Sequence, residues 1–370
     1  MSFALFAALV FLSTGVLSLL LVPGSKLLAH RLGVLDQPGA RKVHQQPMPR
    51  LGGTAVFLAF TAVVVTGYVL IPMLSEQDWA RALLGGPLLL LKDAPKVKIQ
   101  LAAMLSGAAL AFLVGFLDDL LGERFPVGVK ALGQVAAAVV LIAADVKTSF
   151  MPYDWLNWLV TLFWLVGMTN AFNLLDNMDG LASGVAVVAS GVFLLNAWLL
   201  GEFFISLLLV AFLGSLLGFL RYNAHPASVF LGDCGSHFIG YLMGSLTLLE
   251  RYVSHASSTL FPILMPVVVL AVPLIDTFTV IVIRVVERRP IYVGDARHLS
   301  HRLVSLGFSQ RGAVLFVYLM TFALGLGAAS LTHATAGQSF LVLLQTAGFV
   351  ALLLILMFRE RRRTPRGERR

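Results

Sequence analysis

Five aspartates in this sequence lie at the ends of long apolar runs, where a charged side chain is costly if the chain enters a membrane. They are Asp118, Asp119, Asp176, Asp179 and Asp233, in the segments GFLDDL, NLLDNMDG and FLGDCGS. Such carboxylates persist when they face a polar cavity, pair with a cation or bind a metal. If the fold brings all five to one face, they predict a single cation-dependent site.

The spacing of these residues favours an oxygen-only site. Asp176 and Asp179 share a helix face if the preceding helix continues that far, and Asn173 lies three residues earlier on that face. Adjacent Asp118 and Asp119 cannot point the same way, so one can face the site while the other supports it. Oxygen ligands suit Mg²⁺ or Mn²⁺, and no Cys/His spacing typical of zinc is present. The alternative, that each aspartate only caps a helix, explains five carboxylates on one face less well.

Cationic residues complement the aspartates in three parts of the chain. They are Lys42 and His44 in GARKVHQQPMPR (39–50), Lys130 after the first aspartate pair, and His298, His301 and Arg302 in the segment 284–302. Carboxylates for a metal together with cations for anions are typical of sites that bind phosphates. Ordinary positive charge on inner loops explains most of the arginines, but it explains the histidines less well.

The segment NAHPASVFLGDCGS (223–236) combines a turn, glycines and Asp233. Glycines allow backbone N–H groups to approach a ligand closely. With Phe230 available to stack on a base, the segment indicates a nucleotide pocket beside a metal, although packing of Phe230 against lipid fits composition equally well. Asp276, deep in an apolar run, is expected to pair with a neighbouring helix rather than to catalyse.

Composition places these residues in a membrane protein. Hydrophobic residues make up 58% of 370, charged residues 12%, and the mean hydropathy is +0.88. A soluble domain of this length cannot bury so much apolar surface, so we predict an all-α, polytopic membrane helix bundle. One cysteine, Cys234, excludes an internal disulfide.

About 20 apolar residues cross a bilayer as a helix. That length predicts eleven transmembrane helices at 2–22, 51–72, 98–117, 131–147, 156–175, 181–200, 203–220, 236–250, 260–284, 312–331 and 339–358. The apolar stretch 83–91 is too short to cross and is expected to be an outer or re-entrant segment. We therefore predict one transmembrane domain, 1–358, and a basic tail, 359–370, that contacts anionic lipid rather than nucleic acid.

The charges orient the bundle. No Lys or Arg precedes the first apolar run, and no small-residue cleavage site is evident, which favours a retained first span with the N-terminus outside. Most of the 27 Lys and Arg residues then fall in inner segments, as the positive-inside rule requires. The C-terminus and all five aspartates are therefore predicted at the cytoplasmic face.

Several separated blocks together resemble a known family, the polyprenyl-phosphate N-acetylhexosamine-1-phosphate transferases of glycosyltransferase family 4. The blocks are KVHQQPMPRLGG (42–53), GFLDDL (115–120), Lys130 with Gln134, NAFNLLDNMDGLA (170–182), NAHPASVFLGDCGS (223–236), PLID (273–276) and DARHLSHRL (295–303). The resemblance implies transfer of a sugar-1-phosphate, most simply N-acetylglucosamine-1-phosphate, from a UDP-N-acetylhexosamine to undecaprenyl or another polyprenyl phosphate, with release of UMP. It also implies a bacterial cytoplasmic membrane, a cytoplasmic active site and compatibility with a homodimer.

The resemblance further implies residue roles. Asp233 and Asn173 would hold Mg²⁺, and Asp118, with Asp119 beside it, would activate the lipid phosphate. Phosphates would be bound by Lys130, Lys42, His44, His298, His301 and Arg302, and uridine would be surrounded by Asp176, Asp179, Asn223 and Phe230.

Two positions depart from the family pattern. Ser300 interrupts the usual histidine run, and Asn177 replaces a usual glycine. Because the triple-histidine segment of the pentapeptide-transferring relatives is absent, a simple N-acetylhexosamine is the expected sugar. The alternative from another class is an ion-coupled transporter with an acidic cation site, and a non-catalytic lipid-binding scaffold ranks third. Only Asp276 lies deep in a span, whereas transporters usually place coupling charges near the midplane.

Overall fold

The computed structural model describes residues 2–38, 46–91, 94–252, 260–290 and 297–359, and these are almost entirely helical. The chain divides into two compact units, Met1–Arg251 and Tyr252–Arg370. The all-α class predicted from the sequence is confirmed.

The first unit contains nine α-helices and one small hairpin within its described residues. The helices are α1 (Phe3–Leu32), α2 (Gly53–Ser75), α3 (Asp78–Leu90), α4 (Lys98–Leu121), α5 (Val127–Ala143), α6 (Asp154–Leu175), α7 (Leu181–Leu199), α8 (Phe203–Asn223) and α9 (Gly232–Leu249). Strands β1 (Leu35–Asp36) and β2 (Met48–Pro49) pair antiparallel, with Leu35 opposite Pro49. The short apolar stretch near residue 83 is part of α3, a 13-residue helix.

The second unit contains the remaining helices. They are α10 (Met265–Val269), α11 (Ala271–Val286), α12 (Leu299–Ser305), α13 (Gln310–Ser330) and α14 (Ala336–Arg359). The segments Phe261–Val269 and Ala271–Val286 meet at a bend of 67°. Pro273 explains the break, because it has no N–H for the carbonyl of Val269 and its ring clashes with that carbonyl.

Eight helices of the described residues are long and apolar enough to cross a membrane, and the bent pair would make nine. The two other predicted spans coincide with α5, which has 17 residues, and with α9. The count of eleven and the orientation therefore stay predictions. On α1, leucines such as Leu5, Leu12 and Leu20 are more than half exposed, as expected of a helix that faces lipid.

Helix α9 is buried along most of its length against α2, α4 and α6, which explains its glycines and small polar residues. A Cβ added at Gly235 would lie 2.6 Å from Cα of Gly53, and one at Gly240 would lie 2.5 Å from the carbonyl oxygen of Met168. Only glycine permits these backbone approaches. The start of α9 is thereby held against α2, and its next turns are held against α6.

The order of the helices gathers the predicted site residues at one edge of the first unit. Helices α4 and α6 end at this edge, whereas α5 and α9 begin there. The segment 49–53, between β2 and α2, also reaches it, because Phe230 donates its N–H to the carbonyl of Pro49 (2.8 Å) and Gly53 donates to that of Leu231 (2.8 Å).

Candidate active site

The adjacent aspartates at the end of α4 contact different partners, as their adjacency requires. Oδ2 of Asp118 lies 2.6 Å from Nζ of Lys130 on α5. Asp119 is buried, with 7% of its surface exposed, and its Oδ2 accepts the backbone N–H of Cys234 (2.9 Å). Its Oδ1 lies 3.4 Å from Nη2 of Arg50. Asp118 therefore faces the polar cluster, while Asp119 ties α4 to the start of α9.

The ammonium group of Lys130 lies where oxygens from three other helices converge. Besides Asp118, it contacts Oδ2 of Asp233 on α9 and Oδ1 of Asn173 on α6, both at 3.3 Å. Two carboxylates and one amide oxygen thus surround a single cationic point. Opposite charges this close in a partly buried site attract strongly.

Asn173 links the other members of this cluster. Its Nδ2 donates to Oδ1 of Asp233 (2.8 Å) and to Oγ of Ser236 (3.0 Å), while its Oδ1 accepts from Lys130. Every polar atom of the amide is therefore used, which fixes its orientation. We call Asp118, Lys130, Asn173 and Asp233 the central cluster.

The central cluster fits a hard divalent cation in its donor chemistry. Among the described residues, no three His, Cys, Asp or Glu side chains are grouped as a metal site. Mg²⁺, however, commonly takes only one or two carboxylates and completes its shell with water and substrate phosphates. Three oxygens that already converge on the cation of Lys130 meet that requirement, and the magnesium prediction stays a prediction.

The loops 176–180 and 224–231 are joined beside the central cluster. Oδ2 of Asp179 accepts the N–H of Ala227 (3.1 Å) and lies 2.8 Å from Nδ1 of His225. Asn223, only 2% exposed, accepts from the N–H of Gly180 (3.1 Å) and donates to the carbonyl of Val229 (3.0 Å). Asp179 and Asn223 therefore hold the two loops together, and any contribution of Asn223 to a nucleotide pocket acts through these loops.

Asp176 and Phe230 lie on these same loops. Asp176 follows α6 directly and is half-buried; burial, with the Asp233 carboxylate nearby, raises the pKa of Asp176 to about 8. Burial thus favours the neutral carboxyl group, which can donate a hydrogen bond. Phe230 is half-buried, and its carbonyl accepts the N–H of Gly52 (3.0 Å).

Gly232 is required at the start of α9. Its φ is +78°, and an added Cβ would lie 1.9 Å from the carbonyl oxygen of Arg50 and 2.7 Å from Oδ2 of Asp119. An L side chain is strained in that conformation and has no space there. This close approach brings Arg50 to Asp119.

The second unit contains a buried Asp–His pair. Oδ2 of Asp276, on α11, lies 2.7 Å from Nδ1 of His298, and its Oδ1 accepts the N–H of Leu299 (2.7 Å). The rings of His298 and His301 are 6.5 Å apart, and Nε of Arg302 donates to the carbonyl of Arg297 (3.0 Å). Asp276 thus has a neighbouring partner, as expected, but that partner is one of the predicted phosphate-binding residues.

Sequence reasoning and structure agree on the grouping of the central cluster. Lys42 and His44 lie outside the described residues, and His298, His301 and Arg302 belong to the second unit. Ser236 was not selected from the sequence, and Arg50 was noted only among the cations of the segment 39–50, without a role at the site. The position of Arg50 just before Leu51-Gly52-Gly53, where the chain can approach another backbone, was the available signal.

Known proteins are similar to this chain over the site and beyond it. The sequence model of glycosyl transferase family 4 matches residues 101–250, which include the whole central cluster. The chain is 34% identical, over 88% of its length and 85% of the relative, to a probable undecaprenyl-phosphate N-acetylglucosaminyl 1-phosphate transferase of Bacillus subtilis. It is 30% identical, over 97% of its length and 90% of the relative, to the decaprenyl-phosphate N-acetylglucosaminephosphotransferase of Mycolicibacterium smegmatis. A phospho-N-acetylmuramoyl-pentapeptide-transferase of Bacillus subtilis is 29% identical over 65% of the chain and 73% of the relative.

Proposed function

Because the chain belongs to the polyprenyl-phosphate N-acetylhexosamine-1-phosphate transferase family, we propose that it transfers N-acetylglucosamine-1-phosphate from UDP-N-acetylglucosamine to a polyprenyl phosphate. The products are UMP and a lipid-linked diphosphosugar, which would initiate synthesis of a cell-envelope polysaccharide. The names of the two more similar relatives support the sugar phosphate and the lipid acceptor. They also favour an enzyme over the transporter considered from the sequence.

The observation that carries the proposal is the convergence of Asp118, Asp233 and Asn173 on the ammonium group of Lys130. A transferase of this kind must bring two phosphate-bearing substrates together. Catalysis of phosphoryl transfer depends mainly on positioning and on neutralising charge. The central cluster offers a fixed cation beside oxygens that can hold a second cation, and both features serve this purpose.

Chemically, the reaction is a displacement at phosphorus. An oxygen of the lipid phosphate attacks the phosphorus that bears the sugar, and the bond from that phosphorus to the oxygen shared with UMP breaks. UMP leaves with the bonding electrons. A lipid phosphate is already ionised at neutral pH, so direct in-line attack requires no strong base, and we favour it over a covalent enzyme intermediate.

Each residue of the central cluster would have its own role in the reaction. Asp118, half-buried at the end of α4, would accept a remaining proton from the lipid phosphate and orient it. Lys130 would contact the phosphates of the donor. Asp233 and Asn173 would hold Mg²⁺, which supplies charge neutralisation between the two anionic substrates when it is bound. Asp119 would act by holding the start of α9 through the N–H of Cys234.

The two joined loops would form the uridine pocket. Asp176 and Phe230 offer a hydrogen-bonding carboxyl group and an aromatic ring, while Asp179 and Asn223 brace the loops that carry them. Because the cluster lies at helix ends, a soluble nucleotide and a lipid headgroup can both reach it. We place this edge at the cytoplasmic face of a bacterial inner membrane, in line with the positive-inside pattern.

Purified protein in detergent tests the proposal. Undecaprenyl phosphate, Mg²⁺ and a panel of UDP-sugars are supplied, and UMP is measured. We expect release with UDP-N-acetylglucosamine that requires both the lipid and the metal. Folded protein that releases no UMP with any donor would contradict the proposal.

A further inference from the structure

A second polar group lies one helical turn beneath the central cluster, and the proposed mechanism does not use it. It consists of Gln134 on α5, Asn170 on α6 and His237 on α9, which we call the inner layer. Gln134 is 4% exposed and His237 fully buried. In a helix bundle made largely of apolar residues, such side chains are retained only where they have a role.

Each member of the inner layer is paired along its helix with a member of the central cluster. Gln134 follows Lys130 by four residues, and His237 follows Asp233 by four. Asn170 precedes Asn173 by three, on a helix that runs toward the site. At the rise of an α-helix, the inner layer lies about 4.5–6 Å deeper than the central cluster.

Hydrogen bonds join the three helices at this depth. Nδ2 of Asn170 donates to Oε1 of Gln134 (2.7 Å), and Nε2 of Gln134 returns a bond to Oδ1 of Asn170 (3.3 Å). The same Nε2 lies 3.5 Å from Nε2 of His237. An amide nitrogen only donates, so the ring nitrogen of His237 accepts. Gln134 therefore bonds to both neighbouring helices.

These bonds fix the relative positions of the helices that carry the reacting groups. The pair between Gln134 and Asn170 sets α5 against α6, and so sets Lys130 against Asn173. The contact with His237 sets α5 against α9, and so sets Lys130 against Asp233. Positioning groups of this kind hold active-site geometry to fractions of an ångström.

We propose that Gln134, Asn170 and His237 are positioning residues that hold Lys130 at the convergence of the three oxygens. The inference rests on the proposed transferase function. Loss of the inner layer should lower turnover. Because Lys130 would then leave the three oxygens, it should also lower the Mg²⁺ concentration that activity requires. Substrate binding should stay largely intact, because the members of the inner layer do not line the edge where substrates bind.

The test uses Gln134→Met, which keeps the length of the side chain but removes the amide. We expect kcat to fall at least about tenfold, with a lower half-saturating Mg²⁺ concentration and little change in KM for donor or lipid. Thr169→Val is the matched control: its buried hydroxyl bonds only within α6, to the carbonyl of Leu165 (2.7 Å), so it should retain wild-type kcat. The exchanged double variant, Gln134→Asn with Asn170→Gln, can re-form an amide pair and should exceed either single variant in kcat.

Wild-type kcat in Gln134→Met, or a loss of kcat that merely follows a loss of thermal stability, would overturn the inference. So would an exchanged variant no better than the single ones. If Gln134→Met does not fold, Asn170→Leu applies the same measurements from α6. A wild-type protein that releases no UMP would instead contradict the proposed function, and the two failures are thus distinguishable.

Discussion

Nζ of Lys130 lies 2.6 Å from Oδ2 of Asp118, and this contact joins the start of α5 to the end of α4. The same nitrogen contacts Asp233 and Asn173, so one lysine bonds to three other helices and neutralises the carboxylates of two of them. A substrate phosphate or a divalent cation that enters the cluster must compete with these contacts. Substitutions at Asp233, Asp118 and Lys130 therefore test how these contacts affect turnover and the binding of Mg²⁺.

Asp233→Asn should abolish turnover while leaving a folded, extractable protein. Asp233 accepts from Asn173 through Oδ1 and faces Lys130 through Oδ2, and an amide cannot accept at both positions. We expect kcat to fall by more than about 100-fold, the scale of several kcal/mol of lost charge stabilisation, measured as UMP release at saturating Mg²⁺. Asp118→Asn should behave alike. Asp145→Asn is the control, since Asp145 is exposed and lies at the far end of α5. Near-normal activity in both site variants would refute the site assignment.

Lys130→Met should separate metal binding from turnover. Without the ammonium group, Asp118 and Asp233 repel each other and should bind Mg²⁺ at lower concentration. Turnover should nevertheless fall about 100-fold, because a contact to the donor phosphates is lost. Titration of UMP release with Mg²⁺ measures both effects. Lys147→Met is the matched control, since Lys147 pairs with Asp145 beyond the other end of α5. An unchanged Mg²⁺ titration would contradict this account of Lys130.

The grouping of the site aspartates could be predicted from the sequence. Successive spans cross the membrane in opposite directions, so aspartates at alternate span ends lie on the same side of it. It did not predict the extent of α1, which continues past Pro23 to Leu32 and ends at Gly33 with φ +70°. The rule that proline ends a helix was overridden by packing of the following turns, whose Ser25 and Ala29 are buried. The contact between Arg50 and Asp119 could not be predicted either, because it depends on backbone approaches at Gly53 and Gly232 that only coordinates reveal. The bend before α11 was likewise hidden within one apolar run.

Gly232→Ala should destabilise the fold around the site. The added methyl group meets the carbonyl of Arg50 at a positive φ, so the free energy of unfolding should fall by about 1–3 kcal/mol. A lower Tm in detergent, together with lower turnover, would show this. Gly167→Ala is the comparison, because an added Cβ there meets nothing within 4 Å inside α6 and should be neutral or slightly stabilising. Equal Tm values for the two variants would show that α9 tolerates a side chain at its start.

Asp276 and His298 should act as one unit. Asp276→Asn leaves one acceptor for two donors, the ring of His298 and the N–H of Leu299. We expect kcat to fall about 10- to 100-fold, and His298→Gln should add little in that background. A double-mutant cycle measures their coupling, expected at about 0.5–3 kcal/mol. His333→Gln, at an exposed histidine after α13, should retain activity. Strictly additive losses would show that the two residues act separately.

The central claim is that the sugar moves together with its phosphate. UDP-N-acetylglucosamine labelled with ³²P in the phosphate attached to the sugar, incubated with undecaprenyl phosphate, Mg²⁺ and purified protein, tests it directly. The account predicts that the label passes into the organic-extractable lipid while unlabelled UMP accumulates in water. Label that stays in the aqueous phase as UDP, with the sugar alone on the lipid, would contradict it.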